Sequence, residues 1–138
     1  MISVRKQEVV KLGDVLHLYQ AVGWTNYTHQ PQMLEKALSH SLAIYLALDG
    51  DAVMGLVRLV GDGFSSVFVQ DLIVLPSYQR QGIGSDLVKE ALGDYKDAYQ
   101  IQLMTDQTEK NLRFYRSLGF ETLSTYDCTG MIWVDRKK

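Results

Sequence analysis

One cysteine, Cys128, stands among 138 residues. No disulfide can close within the chain, and with no cluster of metal-ligand residues beside it a zinc site is not expected. Cys128 reads as a small, partly buried residue near the end of the fold rather than a nucleophile. Long hydrophobic runs are also missing: none approaches the roughly 18 residues that cross a bilayer. Met1 leads straight into strand-like residues rather than a signal peptide, so a cytoplasmic protein without a membrane partner is expected. Charge of one sign is lacking too. Fourteen Lys and Arg against sixteen Asp and Glu leave a net charge of −2, which provides no basic field for nucleic acid or an anionic surface. The basic end Arg136-Lys137-Lys138 reads as a solvated tail. There is no internal repeat, low-complexity stretch or linker. Residues 1–138 read as a single domain, long enough to bury a core.

What the chain does have is one stretch that organises the rest. Val67 to Leu75 is almost entirely β-branched or large apolar and is bounded by Pro76, which predicts an interior strand covered on both faces. Ile83, Leu87, Val88, Ala91, Leu92 and Tyr95 then recur at helical spacing. Between the two lies Gln79-Arg80-Gln81-Gly82-Ile83-Gly84. Glycines let a backbone approach a ligand closely, and the first turn of a helix leaves N–H groups unpaired at the end of the dipole that favours an anion. Together they form a candidate pyrophosphate cradle, with Arg80 as a fixed charge beside it. The same two glycines also suit a plain strand-to-helix turn. The loop lacks the Lys-Ser/Thr of a P-loop, and Leu87 stands where a dinucleotide fingerprint has its third glycine.

The flanking pattern is mixed. Ile2 to Arg5 predicts an edge strand, and Val9 to Val22 an amphipathic helix stopped at Gly23. Gly23 to Gln30 is polar and aromatic without a period. Pro31 opens a second helix carrying Leu34, Ala37, Leu38 and Ser41 on one side. Leu42 to Leu48 and Ala52 to Val60 predict a hairpin about Asp49-Gly50-Asp51, with Gly55 at a bulge or close contact. Gly61-Asp62-Gly63 turns into the central strand. Gln100 to Met104 predicts a strand beside it after an ordinary crossover. Thr108 to Leu118 predicts a helix ended by Gly119, and Glu121 to Thr125 and Met131 to Val134 predict the last strands. The sum is an α/β (α+β) fold: a mixed, mostly antiparallel sheet of six to seven strands with helices on both faces.

Strand, Pro76, Gln79-x-x-Gly82-x-Gly84 and amphipathic helix together resemble the acetyl-CoA signature of the GNAT superfamily of N-acetyltransferases. Phe114-Tyr115-Arg116-Ser117-Leu118-Gly119-Phe120 is similar to that family's second motif, at about the usual distance downstream. The resemblance runs from the first strand to Trp133. It implies acetyl-CoA as co-substrate, with no metal, and a small-molecule primary amine that attacks directly in a ternary complex. It also implies a central strand that splays from its neighbour, so that the main chain at Leu72, Ile73 and Val74 takes the pantetheine arm like an added strand. Gln79, Arg80, Gln81, Gly82, Ile83, Gly84 and Ser85 would then hold the pyrophosphate. Thr108 stands where family members often place a cofactor-binding asparagine.

The chemistry sets two tasks. An amine of pKa about 10 must lose a proton, and a thiolate leaving group must gain one. By the resemblance, Tyr115 is the proton donor; otherwise it is an aromatic on the buried side of a short helix. Asp71 sits within an apolar strand where a carboxylate is costly. It is either the base or a structural partner for backbone or for Arg58. Tyr78 is a further acid–base candidate that could equally pack. The segment between the first two helices caps the acceptor site in the superfamily, so Trp24, Tyr27 and His29 would cover an aryl group or a cationic amine, or simply pack the loop. The central segment, the approach to Phe114-Tyr115 and the ending Gly130-Met131-Ile132-Trp133 look most like the plant and cyanobacterial serotonin (arylalkylamine) N-acetyltransferase branch. Protein N-terminal or lysine acetylation, and a non-catalytic acyl-CoA sensor, are the alternatives. A homodimer is left open.

Overall fold

The computed structural model describes residues 2–135; the basic end from Arg136 lies outside them. The chain divides into two compact units, one reaching to Met104 and the other starting at Thr105.

The first unit is built on a five-stranded sheet whose spatial order follows the chain: β1 (Ile2–Gln7), β2 (Ala43–Asp49), β3 (Ala52–Gly61), β4 (Ser66–Val74) and β5 (Gln100–Leu103). The first three junctions are antiparallel and β4–β5 is parallel. As expected, the Ile2 strand forms an edge and the Val67 strand is interior. Gly50 takes φ +62° in the β2–β3 hairpin, a conformation that an ordinary side chain resists.

Three helices lie between β1 and β2: α1 (Leu12–Ala21), α2 (Thr25–Thr28) and α3 (Pro31–Ser39). The first starts three residues later than the apolar period predicts. The Lys11 N–H is taken by the Asp14 carboxylate, which fixes the helix start there and leaves Val9 exposed. The stretch after Gly23, aperiodic in sequence, contains the single turn α2. Pro31 occupies the first turn of α3 as predicted, and Leu34 and Leu38 are buried from it.

Both faces of the sheet are covered. Val15, Leu18, Tyr19, Tyr27, Leu34 and Leu38 pack with Ile44, Leu46, Leu56 and Ile73 on one side. On the other, α4 (Ile83–Tyr95) buries Ile83, Leu87, Val88 and Ala91. β4 serves both layers because of a bulge. Arg58 pairs with Asp71 but Leu59 pairs with Val69, leaving Gln70 as an extra residue. Side chains alternate along a strand, so one extra residue exchanges the faces. Val67 and Val69 thus belong to the α4 side, and Asp71 and Ile73 to the α1 side.

The second unit holds α5 (Glu109–Ser117), ended by Gly119 at φ +96°. Among the described residues the two strands predicted beyond it are not formed, and the sheet has five strands rather than six or seven. Leu123–Tyr126 is a short 3-10 turn instead. Thr122 hydroxyl contacts with Ser124 and Thr125, and Glu121 accepting the Thr122 N–H, favour local bonding over a ladder. Met131 to Val134 has no regular structure, and its side chains are exposed. Cys128, expected to be partly buried, is exposed as well.

Candidate functional site

The pairing of β4 with β5 runs from Ser66–Gln100 to Val69–Leu103 and stops there. Beyond the Gln70 bulge, Leu72, Ile73 and Val74 keep their partners on β3, namely Val57, Leu56 and Gly55. Their other edge has no β5 partner. A half-paired interior strand exposes main-chain donors and acceptors in strand geometry, which is what an extended ligand needs in order to add to a sheet. Gly55 keeps this edge in place from behind, since a Cβ there would meet the Ile73 carbonyl oxygen at 2.9 Å. Gly55 also adjoins a second bulge, at Met54, so both expectations for it hold.

β4 leads through a 3-10 turn, Pro76–Tyr78, into the glycine loop. Gln79 Nε2 turns back and donates to the Val74 carbonyl at 3.1 Å, tying the loop to the strand end. Arg80 and Gly82 both take positive φ, +65° and +80°. For Arg80 this costs about 1–2 kcal/mol, and strain held at a loop of this kind is a mark of function. The first intrahelical bond of α4 runs from Asp86 N–H to Gly82 O at 3.0 Å. The N–H groups of Ile83, Gly84 and Ser85 precede it and therefore have no helix partner. Three such donors, small neighbours and the Arg80 charge fit a phosphate-bearing ligand.

Tyr78 does not stand free beside this loop. Its hydroxyl donates to Asp49 Oδ2 at 3.0 Å, at the end of β2. That bond and the Asp49 charge raise its pKa above the usual tyrosine value.

Asp71 lies at the centre of a buried network. Its Oδ2 accepts from Arg58 Nε at 2.7 Å and from Tyr19 OH at 2.8 Å, and its Oδ1 accepts from Tyr27 OH at 3.0 Å. Arg58 also donates through Nη2 to Tyr27 OH at 3.1 Å and through Nη1 to Ser41 Oγ at 3.3 Å. Arg58 is 4% exposed and Asp71 3%, and among the described residues no buried side-chain polar atom lacks a partner. Burial, then the Asp71 charge, raises the proton affinity of Tyr19 and Tyr27. Both therefore stay neutral donors. The sequence does not point to Tyr19, because a tyrosine at helical spacing with apolar residues reads as packing and its hydroxyl gives no signal. Arg58 was named only as a partner for Asp71, and a charge in each of two adjoining apolar strands is the signal that joins them.

The expected acceptor residues divide. Tyr27 is buried, with its ring 5.0 Å from that of Tyr19 and 6.3 Å from that of Trp24. Trp24 is half-buried at the start of α2, and His29 is exposed at its end. The structure brings Tyr27 to Asp71 but does not bring His29 there.

In the second unit, Thr108 caps α5, its Oγ1 accepting from the Asn111 N–H at 3.1 Å. Tyr115 is half-buried between Phe114 and Phe120, with centroids 5.0 and 5.9 Å away in edge-on contact. Burial raises its pKa. No group of three or more residues able to hold a metal occurs among the described residues.

Comparison with known proteins bears on the family and the fold. The family described as Acetyltransferase (GNAT) domain matches residues 40–122, more than half the chain. A GNAT family acetyltransferase from Streptococcus pneumoniae TIGR4 is 78% identical, covering 99% of both chains with a TM-score of 0.91. Serotonin N-acetyltransferase 2, chloroplastic, from Oryza sativa subsp. japonica is 26% identical over 123 residues, 86% of this chain. The chain spans 60% of that relative's length. An aminoglycoside N-acetyltransferase solved in complex with CoA shares the fold at 19% identity, covering 99% of this chain and 95% of its own, with a TM-score of 0.70.

Proposed function

The chain belongs to the GNAT acetyltransferase family, and on that footing we propose that it moves the acetyl group of acetyl-CoA to a primary amine of a small molecule. The observation that carries the reading is the end of β4–β5 pairing at Val69–Leu103, on the strand that leads directly into the glycine loop. In this reading the main chain of Leu72, Ile73 and Val74 receives the extended arm of acetyl-CoA. Gln79 to Ser85, with Arg80 as the charge, receive its phosphates. Acetyl-CoA supplies an activated thioester when bound. Thr108 can still donate its hydroxyl proton while it caps α5, so its capping bond does not use up the group that a cofactor contact would need.

Tyr115 is the proton donor to the departing thiolate. With its pKa raised by burial, it holds its proton at neutral pH and has one to give. Asp71 has both oxygens engaged by Arg58, Tyr19 and Tyr27, which favours the structural alternative over direct proton abstraction. Tyr78 would have to leave Asp49 to act as an acid. Its bond favours a role in anchoring the loop. The amine loses its proton to solvent, or binds as the free base, and attacks directly. The C–S bond breaks as the amide forms, and the proton then shed by the nitrogen returns through solvent to the Tyr115 phenolate.

The half-buried Trp24 supports an aryl-bearing amine as acceptor, because an aromatic group buries apolar area against it. A cytoplasmic setting is part of the same proposal. The test is release of free CoA from acetyl-CoA across a panel of amines and peptides, with acetyl-CoA binding followed by calorimetry. Amine-dependent release with a small amine supports the reading. Release only with peptides would move the activity to protein acetylation, and binding without release would leave a sensor.

A further inference from the structure

The bonds around Asp71 reach an element too short to hold itself. α2 is a single turn without a side-chain cap, far below the length at which a helix persists on its own. Its internal backbone bonds are few: Tyr27 N–H and Thr28 N–H to Trp24 O, His29 N–H to Thr25 O and Gln30 N–H to Tyr27 O. Among the described residues, what fastens it to the sheet by hydrogen bonds is one phenol. Tyr27 OH donates to Asp71 and accepts from Arg58. The guanidinium serves three partners at once: Asp71 on β4, Tyr27 in α2, and Ser41 just beyond α3. One side chain on β3 therefore holds the segment between β1 and β2 at two points, and Asp71 neutralises its charge.

We infer that Arg58 is a positioning residue for acetyl transfer, which by holding Tyr27 sets where α2 stands and so which amines are accepted. The inference rests on the acetyltransferase reading given above. Trp24 and His29 occupy the two ends of α2, so the position of the turn is the position of both. Tyr27 itself is not a surface for the amine. Its ring is enclosed between Tyr19 and Trp24 and its oxygen is already engaged. Arginine suits the task where lysine does not, because a planar fork reaches three acceptors in fixed directions and an ammonium cannot.

Tyr27→Phe removes one oxygen and keeps the ring, and Arg58→Lys keeps the charge and removes the fork. Each is expected to raise amide hydrogen exchange over residues 24–30 at least tenfold while β2 and β3 stay protected. With tryptamine and hexylamine as probes, KM for the amine should rise about five- to fiftyfold, by different factors for the two. The loss should fall on KM rather than kcat, and Kd for acetyl-CoA should stay within twofold. Because both changes cut the Arg58–Tyr27 bond, the double variant should shift KM by clearly less than the product of the two single effects. Unchanged exchange over 24–30, multiplicative effects in the double variant, or a loss confined to kcat and thermal stability would each overturn the inference. If Arg58→Lys does not fold, Tyr27→Phe decides alone. An unmutated protein that acetylates no amine refutes the acetyltransferase reading instead, and exchange still reports whether Arg58 and Tyr27 hold the turn.

Discussion

A Cβ placed on Gly55 would lie 2.9 Å from the carbonyl oxygen of Ile73 and 3.3 Å from Leu87 Cδ1. The strand edge proposed to receive acetyl-CoA is thus set from β3, by the absence of a side chain. Gly55→Ala must push the Ile73 main chain outward, at a cost of about 1–3 kcal/mol. Chemical denaturation should show that loss, and calorimetry a weaker acetyl-CoA affinity. Gly13→Ala is the control, since a Cβ on Gly13 meets nothing within 4 Å and alanine favours the helix by up to about 1 kcal/mol. Normal cofactor affinity in Gly55→Ala would separate this edge from binding.

Arg80 combines charge with a strained backbone, φ +65°. Arg80→Gly relieves the strain but restores backbone freedom to the unfolded chain, two effects of about 1 kcal/mol each in opposite directions. The midpoint of thermal unfolding should therefore barely move. Acetyl-CoA binding should weaken severalfold, and more at low salt than at high salt, because the lost term is electrostatic. Equal affinity in the variant at low salt would remove Arg80 from the site.

Tyr115→Phe tests the proton donor. Loss of a general acid lowers turnover by roughly a hundredfold to ten-thousandfold, with acetyl-CoA binding intact. The pKa of the phenol lies above its ordinary value, so its own ionisation should not limit the rate between pH 7 and 9. Over that range kcat/KM of the unmutated enzyme should rise as the amine loses its proton. A decline there, or a Phe variant at full speed, would assign proton donation elsewhere.

Asp62 offers a test of stability against pH. Its carboxylate accepts from the Ser65 hydroxyl and from the N–H groups of Phe64, Ser65 and Ser66 in the turn before β4. These bonds, the Ser65 hydroxyl first, hold its pKa below the usual aspartate range. A lowered folded-state value contributes stability above the unfolded pKa, near 4, that is lost as pH falls toward the folded value. Asp62→Ala should melt earlier than the unmutated protein at pH 7, with the gap narrowing by pH 3. A gap that does not depend on pH would show that the turn is held by shape rather than charge.

Much of this was legible in the sequence, and the exceptions have particular causes. The β4–loop–α4 unit was read because apolar period, Pro76 and two glycines agreed on one local structure. Asp71 stands out in sequence as a carboxylate inside an apolar strand, with Arg58 as a partner. What could not be read was the Gln70 bulge that puts Asp71 on the α1 face beside Arg58, because register is decided by pairing with β3 rather than by β4 alone. α2 escaped notice for a related reason: one turn has no period, and tertiary bonds through Tyr27 hold it. Glu121 to Thr125 and Met131 to Val134 misled in the opposite direction. Their residues favour strands, but such a preference is realised only where a neighbouring strand pairs.

The sheet whose spatial order repeats chain order also bears on how the protein is made. No strand has to be inserted between two that have already paired. β2, β3 and β4 join through short turns and can zip as a meander, the inexpensive kind of closure for a chain. Two longer closures remain: β1 onto β2 across three helices, and β5 onto β4 across α4. During synthesis the ribosome can therefore release this sheet as a growing ribbon, with β5 added last. The open half of β4 needs no later rearrangement to appear. It is left when β5 ends at Leu103, so the open edge arises with the last paired step of folding the sheet.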